Sequence, residues 1–182
     1  MRSRARVVVL IAVALMVVLS ACARAPRDKS EKADSGRASS VRGTNLAVLI
    51  DPGIEPSFTD MQVKNREQVG DFMEQDLPAV LKKSGFNARL IRKRSEYQPA
   101  AGSYLLTVKI TNYNPGSKAA RMMVGYGAGA ASMDTHYELY GSGSSPLLSD
   151  NQSVGSGRDW RNVIRKINEL TTKAVAKKVN SL

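Results

Sequence analysis

The chain has 182 residues, with 27 lysines and arginines against 16 aspartates and glutamates, a formal net charge of +11, one histidine and one cysteine. The single His and single Cys leave no complete ligand set for a zinc-type metal site. The basic residues are scattered rather than interleaved with aromatics, so the stacking platform of single-strand nucleic-acid binders is absent. Phospholipid headgroups or cell-wall polymer suit such a charge better, and no nucleic-acid partner is expected.

Arg2, Arg4 and Arg6 precede an uninterrupted apolar run from Val7 to Leu19. These are the n-region and h-region of a secretory signal. The run of thirteen residues falls short of the ~20 that cross a bilayer as a helix. It leads into Leu19-Ser20-Ala21-Cys22, which resembles the bacterial lipobox, whose cysteine is lipidated and becomes the mature N-terminus. Residues 1–21 are therefore expected to be a lipoprotein signal peptide, with Cys22 the lipidation site. Several acyl chains anchor stably where one holds only marginally. Ala23, rather than aspartate, follows the cysteine. By resemblance to the enterobacterial sorting rule this directs the protein to the outer membrane, at its periplasmic face, rather than the inner membrane. Loss of Arg2, Arg4 and Arg6 with the signal lowers the formal charge from +11 to +8. Residues 22–43 are rich in Ser, Ala and charge and read as a lipidated flexible tether, too poor in apolar surface to offset the entropy of ordering.

Residues 44–182 suit a single domain with one core. "NLAVLI", Asn45 to Ile50, is a buried strand closed by the turn Asp51-Pro52-Gly53. A helix is expected from about Asn65 to Ser84, with Val69, Phe72, Met73, Leu77, Val80 and Leu81 on one face and Gly85 as its stop. Pro78 should kink or restart it, with Asp76 as an N-cap. "FNARLIRKR" is a second strand. "YLLTVKITNY" alternates, with Tyr104, Leu106, Val108 and Ile110 inward and Thr107, Lys109 and Thr111 outward. After Asn114-Pro115-Gly116 a strand passes through "RMMVGYGAGAAS" and emerges as "SMDTHYELY". "GSGSSP" then turns the chain into "LLSDNQSV". Trp160, Val163, Ile164, Ile167, Leu170, Ala174 and Val175 mark an amphipathic C-terminal helix capped by Asp159. The order β-α-β-β-β-β-α implies an α+β fold, with two helices packed on one face of a mostly antiparallel sheet.

Gly125-Tyr126-Gly127-Ala128-Gly129-Ala130 satisfies G-x-G-x-x-[GA], but a dinucleotide fingerprint needs a helix opening on its last glycine. Here a period-two strand follows, and no Gly-Lys-Ser/Thr completes a Walker loop. The expected role is structural. Residues two apart share a strand face, so Gly125, Gly127 and Gly129 leave one face bare for close packing, against Trp160 or the Met122-Met123 pair. A bend or bulge is expected among them. No cofactor is expected. His136, between Asp134 and Glu138, is read as a surface-facing, hydrogen-bonded histidine. Those three side chains are also the constellation that an enzyme of unknown reaction would use. No serine lies in a G-x-S-x-G elbow, and Asp51 and Asp60 are read as turn and cap residues. No catalytic or metal-binding residue is assigned.

The "LKKSGF" that closes the βα start, and above all "NPGSKAARMMVGYGAGAASMDTHYEL", resemble the bacterial lipoprotein family designated domain of unknown function 4410. Its hallmark is an Arg, a short gap and a Gly-x-Gly-x-Gly run entering a strand, the places of Arg121, Gly125, Gly127 and Gly129. The βα outline is also similar, at fold level, to periplasmic modules such as the N-terminal domain of the Tol-system translocation protein and the curli secretion lipoprotein. The resemblance implies no catalysis. The expectation is a non-enzymatic, outer-membrane-anchored periplasmic lipoprotein that binds a protein partner in envelope assembly or transport. Binding of an anionic cell-wall or lipid polymer, through the +8 charge, is the alternative.

Overall fold

Strand β1, Asn45–Asp51, buries Leu46, Val48 and Ile50 on one face and Ala47 on the other, in a computed structural model that describes residues 41–117, 129–157 and 159–182. Apolar side chains run without alternation because both faces of this strand are covered. Helix α1 follows at Asp60–Lys83, then β2 at Asn87–Ile91, a short 3-10 turn at Arg94–Glu96, β3 at Ser103–Asn114, β4 at Ala131–Tyr140, β5 at Pro146–Ser156 and helix α2 at Trp160–Val179. The class is α+β, and the elements follow the expected order.

The sheet, however, is mixed rather than mostly antiparallel. Its strand order is β2-β1-β3-β4-β5. β1 runs parallel to both β2 and β3, whereas β3–β4 and β4–β5 are antiparallel. Parallel neighbours require a crossover. One is α1, between β1 and β2. The other is residues 92–102, which lead from the end of β2 to the start of β3 on the far side of β1. Alternation and turn signals mark where strands end, and neither reports which neighbour a strand takes.

Both helices share one face of the sheet. Val69, Met73, Leu77 and Leu81 of α1 and Val163, Ile164, Ile167 and Val175 of α2 pack in one core with Leu46, Val48, Leu106, Val108, Ile110, Met133, Tyr137 and Leu139. A fully buried side chain of this kind contributes about 1.5–3 kcal/mol. The helices run in the same direction. Phe72 meets Trp160 edge-on at 5.5 Å between ring centroids, and further along both helices Asn168 Nδ2 donates to Asp76 Oδ2 at 2.8 Å.

Local rules account for the boundaries, with two corrections. Helix α1 starts five residues before the expected Asn65, because Thr59 and Gln62 form a capping box. The Thr59 N–H donates to Gln62 Oε1 at 2.8 Å, and the Gln62 N–H to Thr59 Oγ1 at 3.4 Å, so that two orphan donors are satisfied reciprocally. The helix then runs through Pro78 without restarting, and Asp76 serves as an acceptor for α2, not as an N-cap. An interior proline costs about 3 kcal/mol; Met73, Leu77 and Leu81, all fully buried around it, secure the flanking turns. Gly85 ends α1 with φ +101°, and Asp159 caps α2 by accepting from the Arg161 N–H at 3.1 Å, both as expected. Ordered packing also begins before Thr44. Val41 is 2% exposed within the core, and the Gly43 N–H donates to the Gly85 carbonyl at 3.0 Å. The last residues read as tether therefore belong to the domain.

Candidate functional site

On the face turned away from the helices, the register aligns Lys109, His136 and Asn151 in one row and Glu138 with Ser149 in the next, while Asp134 pairs with Ser153. His136 Nδ1 lies 2.9 Å from Asn151 Oδ1. Nε2 lies 3.5 Å from Ser149 Oγ and 3.8 Å from Glu138 Oε1. The ring is thus held between Asn151 and Ser149, and which of its nitrogens donates depends on the tautomer. Asp134 accepts from Asn112 Nδ2 at 3.1 Å and also from Ser153 Oγ. Tyr140 donates to Glu138 Oε2 at 2.7 Å, and Lys109 Nζ stands 4.0 Å from Asp51.

The structure thus brings Asp134, His136 and Glu138 onto one surface, with neither carboxylate on Nδ1 of the histidine. In a triad the ring nitrogen opposite the nucleophile is oriented by a third group, a carboxylate or an amide. Here Ser149 and Glu138 both face Nε2, and an amide occupies the other side. Among the described residues no group of three or more His, Cys, Asp or Glu side chains is placed to bind a metal ion. The cluster is a polar ladder whose members satisfy one another.

The other half of this face is roofed. Ala47, Ile91, Leu105 and Tyr140 form a small second core, with Leu49 and Tyr97 packed against it. The β2–β3 crossover covers it. The Arg94 guanidinium lies over the Tyr140 ring at 4.2 Å, and the Tyr97 hydroxyl lies 2.9 Å from the Ser103 carbonyl and 3.1 Å from that of Gly141. Burial, reinforced by Tyr104, raises the Tyr97 pKa.

A third feature escaped the sequence reading. Arg66 is only 6% exposed. Its Nη1 donates to the Ile110 carbonyl at 3.0 Å and the Pro52 carbonyl at 3.4 Å, and its guanidinium lies 5.4 Å from the Phe58 ring centre. Gly53, with φ +64°, passes so close to the Ile110 carbonyl that a Cβ would have no room. Arg66 thereby staples the 52–58 loop to β3, where the register shifts between Ile110 and Asn112. Burial lowers the Arg66 pKa, against the opposing pull of Glu55 and Asp51. Beside it lies a cleft of about 350 Å³ lined by Phe58, Gln62, Asn65, Asn112 and Tyr113. The Tyr113 pKa is pushed up to about 12 by burial and by Asp159, with Arg66 opposing. The signal was present in the spacing: Arg66 is in helical phase with Val69, Gly70 and Met73, on the buried face.

Of the remaining singled-out residues, Gly129 lies in the turn before β4 with φ +66°, and its carbonyl accepts from the Ser117 N–H at 2.9 Å. The chain therefore bends at this glycine. Cys22, Arg121, Met122, Met123, Gly125 and Gly127 lie outside the described residues. Trp160 packs on Phe72, with the Arg161 guanidinium 4.6 Å from its ring centre. Asp51 accepts from the Gly53 N–H at 2.8 Å, a turn role, and Asp60 is the first residue of α1, one past its cap. No helix among the described residues is long and apolar enough to cross a membrane.

The family model described as "Domain of unknown function (DUF4410)" matches residues 34–157. None of the curated proteins matches the chain. Among solved structures, a PelC dodecamer from Paraburkholderia phytofirmans is similar at 16% identity and a TM-score of 0.47, over 70% of this chain and 88% of that one. A homologue of the neuraminyllactose-binding hemagglutinin from Helicobacter pylori is similar at 11% identity and a TM-score of 0.31, over 75% of this chain and 86% of that one.

Proposed function

This chain belongs to the DUF4410 family, and from that premise we propose that it is a non-enzymatic lipoprotein, anchored through Cys22 at the periplasmic face of the outer membrane, which binds a protein partner in envelope assembly or transport. The observation that carries the reading is the unroofed half of the sheet. It ends in β5, eleven residues long, which among the described strands pairs with β4 alone. An unpaired strand edge offers a row of backbone donors and acceptors to an incoming strand. β5 itself carries no lysine or arginine that would discourage such pairing. The polar ladder beside it supplies side chains for selectivity.

A photo-crosslinking residue placed at Asn151 in living cells should capture one defined envelope protein, while the same probe at Lys173 should not. Gln152→Pro on β5 should abolish the capture. A chain that crosslinks to nothing from β5, or equally from both positions, would sink the proposal.

A further inference from the structure

Residues 44–182 carry a formal charge of +5. Helix α2 alone holds Arg161, Arg165, Lys166, Lys173, Lys177 and Lys178 against Glu169, the same excess, so the rest of the domain is electrically balanced. The acids that exist are spent at particular places. Glu74 pairs with Arg92 at 3.1 Å, Asp159 with Arg161 at 3.6 Å and Glu169 with Lys166 at 3.7 Å. Because the two helices run in the same direction, Lys82 and Lys83 in the last turn of α1 and Lys177 and Lys178 in the last turn of α2 lie at one end of the domain. Arg42 joins them by packing against Gly85, just past α1. Arg42, Lys82, Lys83 and Lys177 are exposed and Lys178 is half-buried. None of the five has an ion-pair partner among the described residues.

We propose that this end of the domain, built from Arg42, Lys82, Lys83, Lys177 and Lys178, is a docking surface for the anionic phospholipid headgroups of a membrane. The lysines also offset the negative ends of the two helix dipoles, but that role is local to each last turn and leaves their ammonium groups facing solvent. The end in question is the one where the chain enters the domain, through Val41 and Gly43. The choice of a membrane over another polyanion rests on the anchoring proposal above; the patch itself does not. Each basic residue close to an anionic surface strengthens partitioning on the order of fivefold, within a Debye length and subject to salt. The surface would hold the domain flat against the bilayer that the lipid tethers it to, instead of leaving it to sample the reach of the linker.

The test uses the full chain carrying Cys22→Ser, so that acylation contributes nothing, sedimented with phosphatidylcholine vesicles that either contain or lack phosphatidylglycerol. Neutral vesicles report whatever the apolar N-terminal run contributes. Phosphatidylglycerol should raise the bound fraction, and salt should remove the increment. Joint Lys82→Glu, Lys83→Glu, Lys177→Glu and Lys178→Glu should reduce that increment by roughly tenfold or more. Arg161→Glu with Arg165→Glu and Lys166→Glu, at the other end of α2, should leave most of it. The corresponding Lys→Gln set gives the same reading if the charge-reversed chain fails to fold. The absence of any increment, equal loss in both variants, or retention by purified wall polymer but not by vesicles overturns the proposal. None of these outcomes bears on acylation at Cys22 or on capture of a partner by β5, which have their own tests.

Discussion

Gly53 shows how a single atom can matter at the residue scale. Its positive φ and its approach to the Ile110 carbonyl mean that Gly53→Ala adds both backbone strain and a collision with main chain that has no rotamer to yield. The expected cost is at least ~2 kcal/mol, read as a fall in the urea midpoint, with Gly143→Ala near zero because nothing lies within 4 Å of that site. Tyr113 gives a pH signature. Its pKa is raised from 10.0 to about 12, so the folded chain keeps a proton that the unfolded chain releases. The stability from this difference is complete below pH 10.0 and is lost as the pH rises through about 12. Tyr97 and Tyr137 are raised in the same direction, so Tyr113→Phe should remove only part of the alkaline loss seen in chemical denaturation from neutral pH upward. The alternation in "SMDTHYELY" was enough to put Asp134, His136 and Glu138 on one solvated face. The phase of Arg66 with Val69 and Met73 was legible, but its partners, Tyr113 and the loop that folds over it, were not, because they come from elsewhere in the chain.

At the scale of elements, what could be read from the chain was periodicity, and what could not was partnership. The apolar positions of both helices and of β1, β3 and β4 were visible. The β1–β3 pairing was not, since it depends on where two crossovers deposit the chain. The Thr59–Gln62 box was visible in principle but competes with a proline- and polar-rich loop that carries no apolar period to announce a helix. Inside the α2–sheet interface, Thr135 Oγ1, fully buried on β4, has no hydrogen-bond partner. Thr135→Val removes that unpaired hydroxyl at similar volume, so stability should be unchanged or rise by up to ~1 kcal/mol, measured as thermal midpoint. At the entry to β1, Val41→Ala should cost roughly 1–3 kcal/mol, because that side chain is part of the core. Deleting Arg24 through Ser35, outside the unit that begins at Gly36, should leave the same midpoint unmoved.

For the whole molecule, the prediction concerns attachment. Cys22→Ser should leave either uncleaved precursor or protein released into the soluble periplasmic fraction, and a processed mutant that still fractionates with the outer membrane would show that Cys22 is not the anchor. The excess charge was countable from composition alone. The meeting of Lys82, Lys83, Lys177 and Lys178 at one end was not, because that follows from two helices pointing the same way. The position of β1 has a further consequence, in time rather than in space. Among the described strands this one is made first, yet it ends up between β2 and β3, pairing Leu46 with Ala88 on one side and Tyr104 on the other. β3, β4 and β5 are neighbours both in sequence and in the sheet, so their loops close at little entropic cost. Joining β1 to β3 closes a much longer loop and belongs to the slow part of folding. The assembly order therefore runs against the order of synthesis. A chain interrupted before Tyr104 presents the apolar "NLAVLI" strand with no β3 to receive it, which is the kind of exposed surface that drives aggregation.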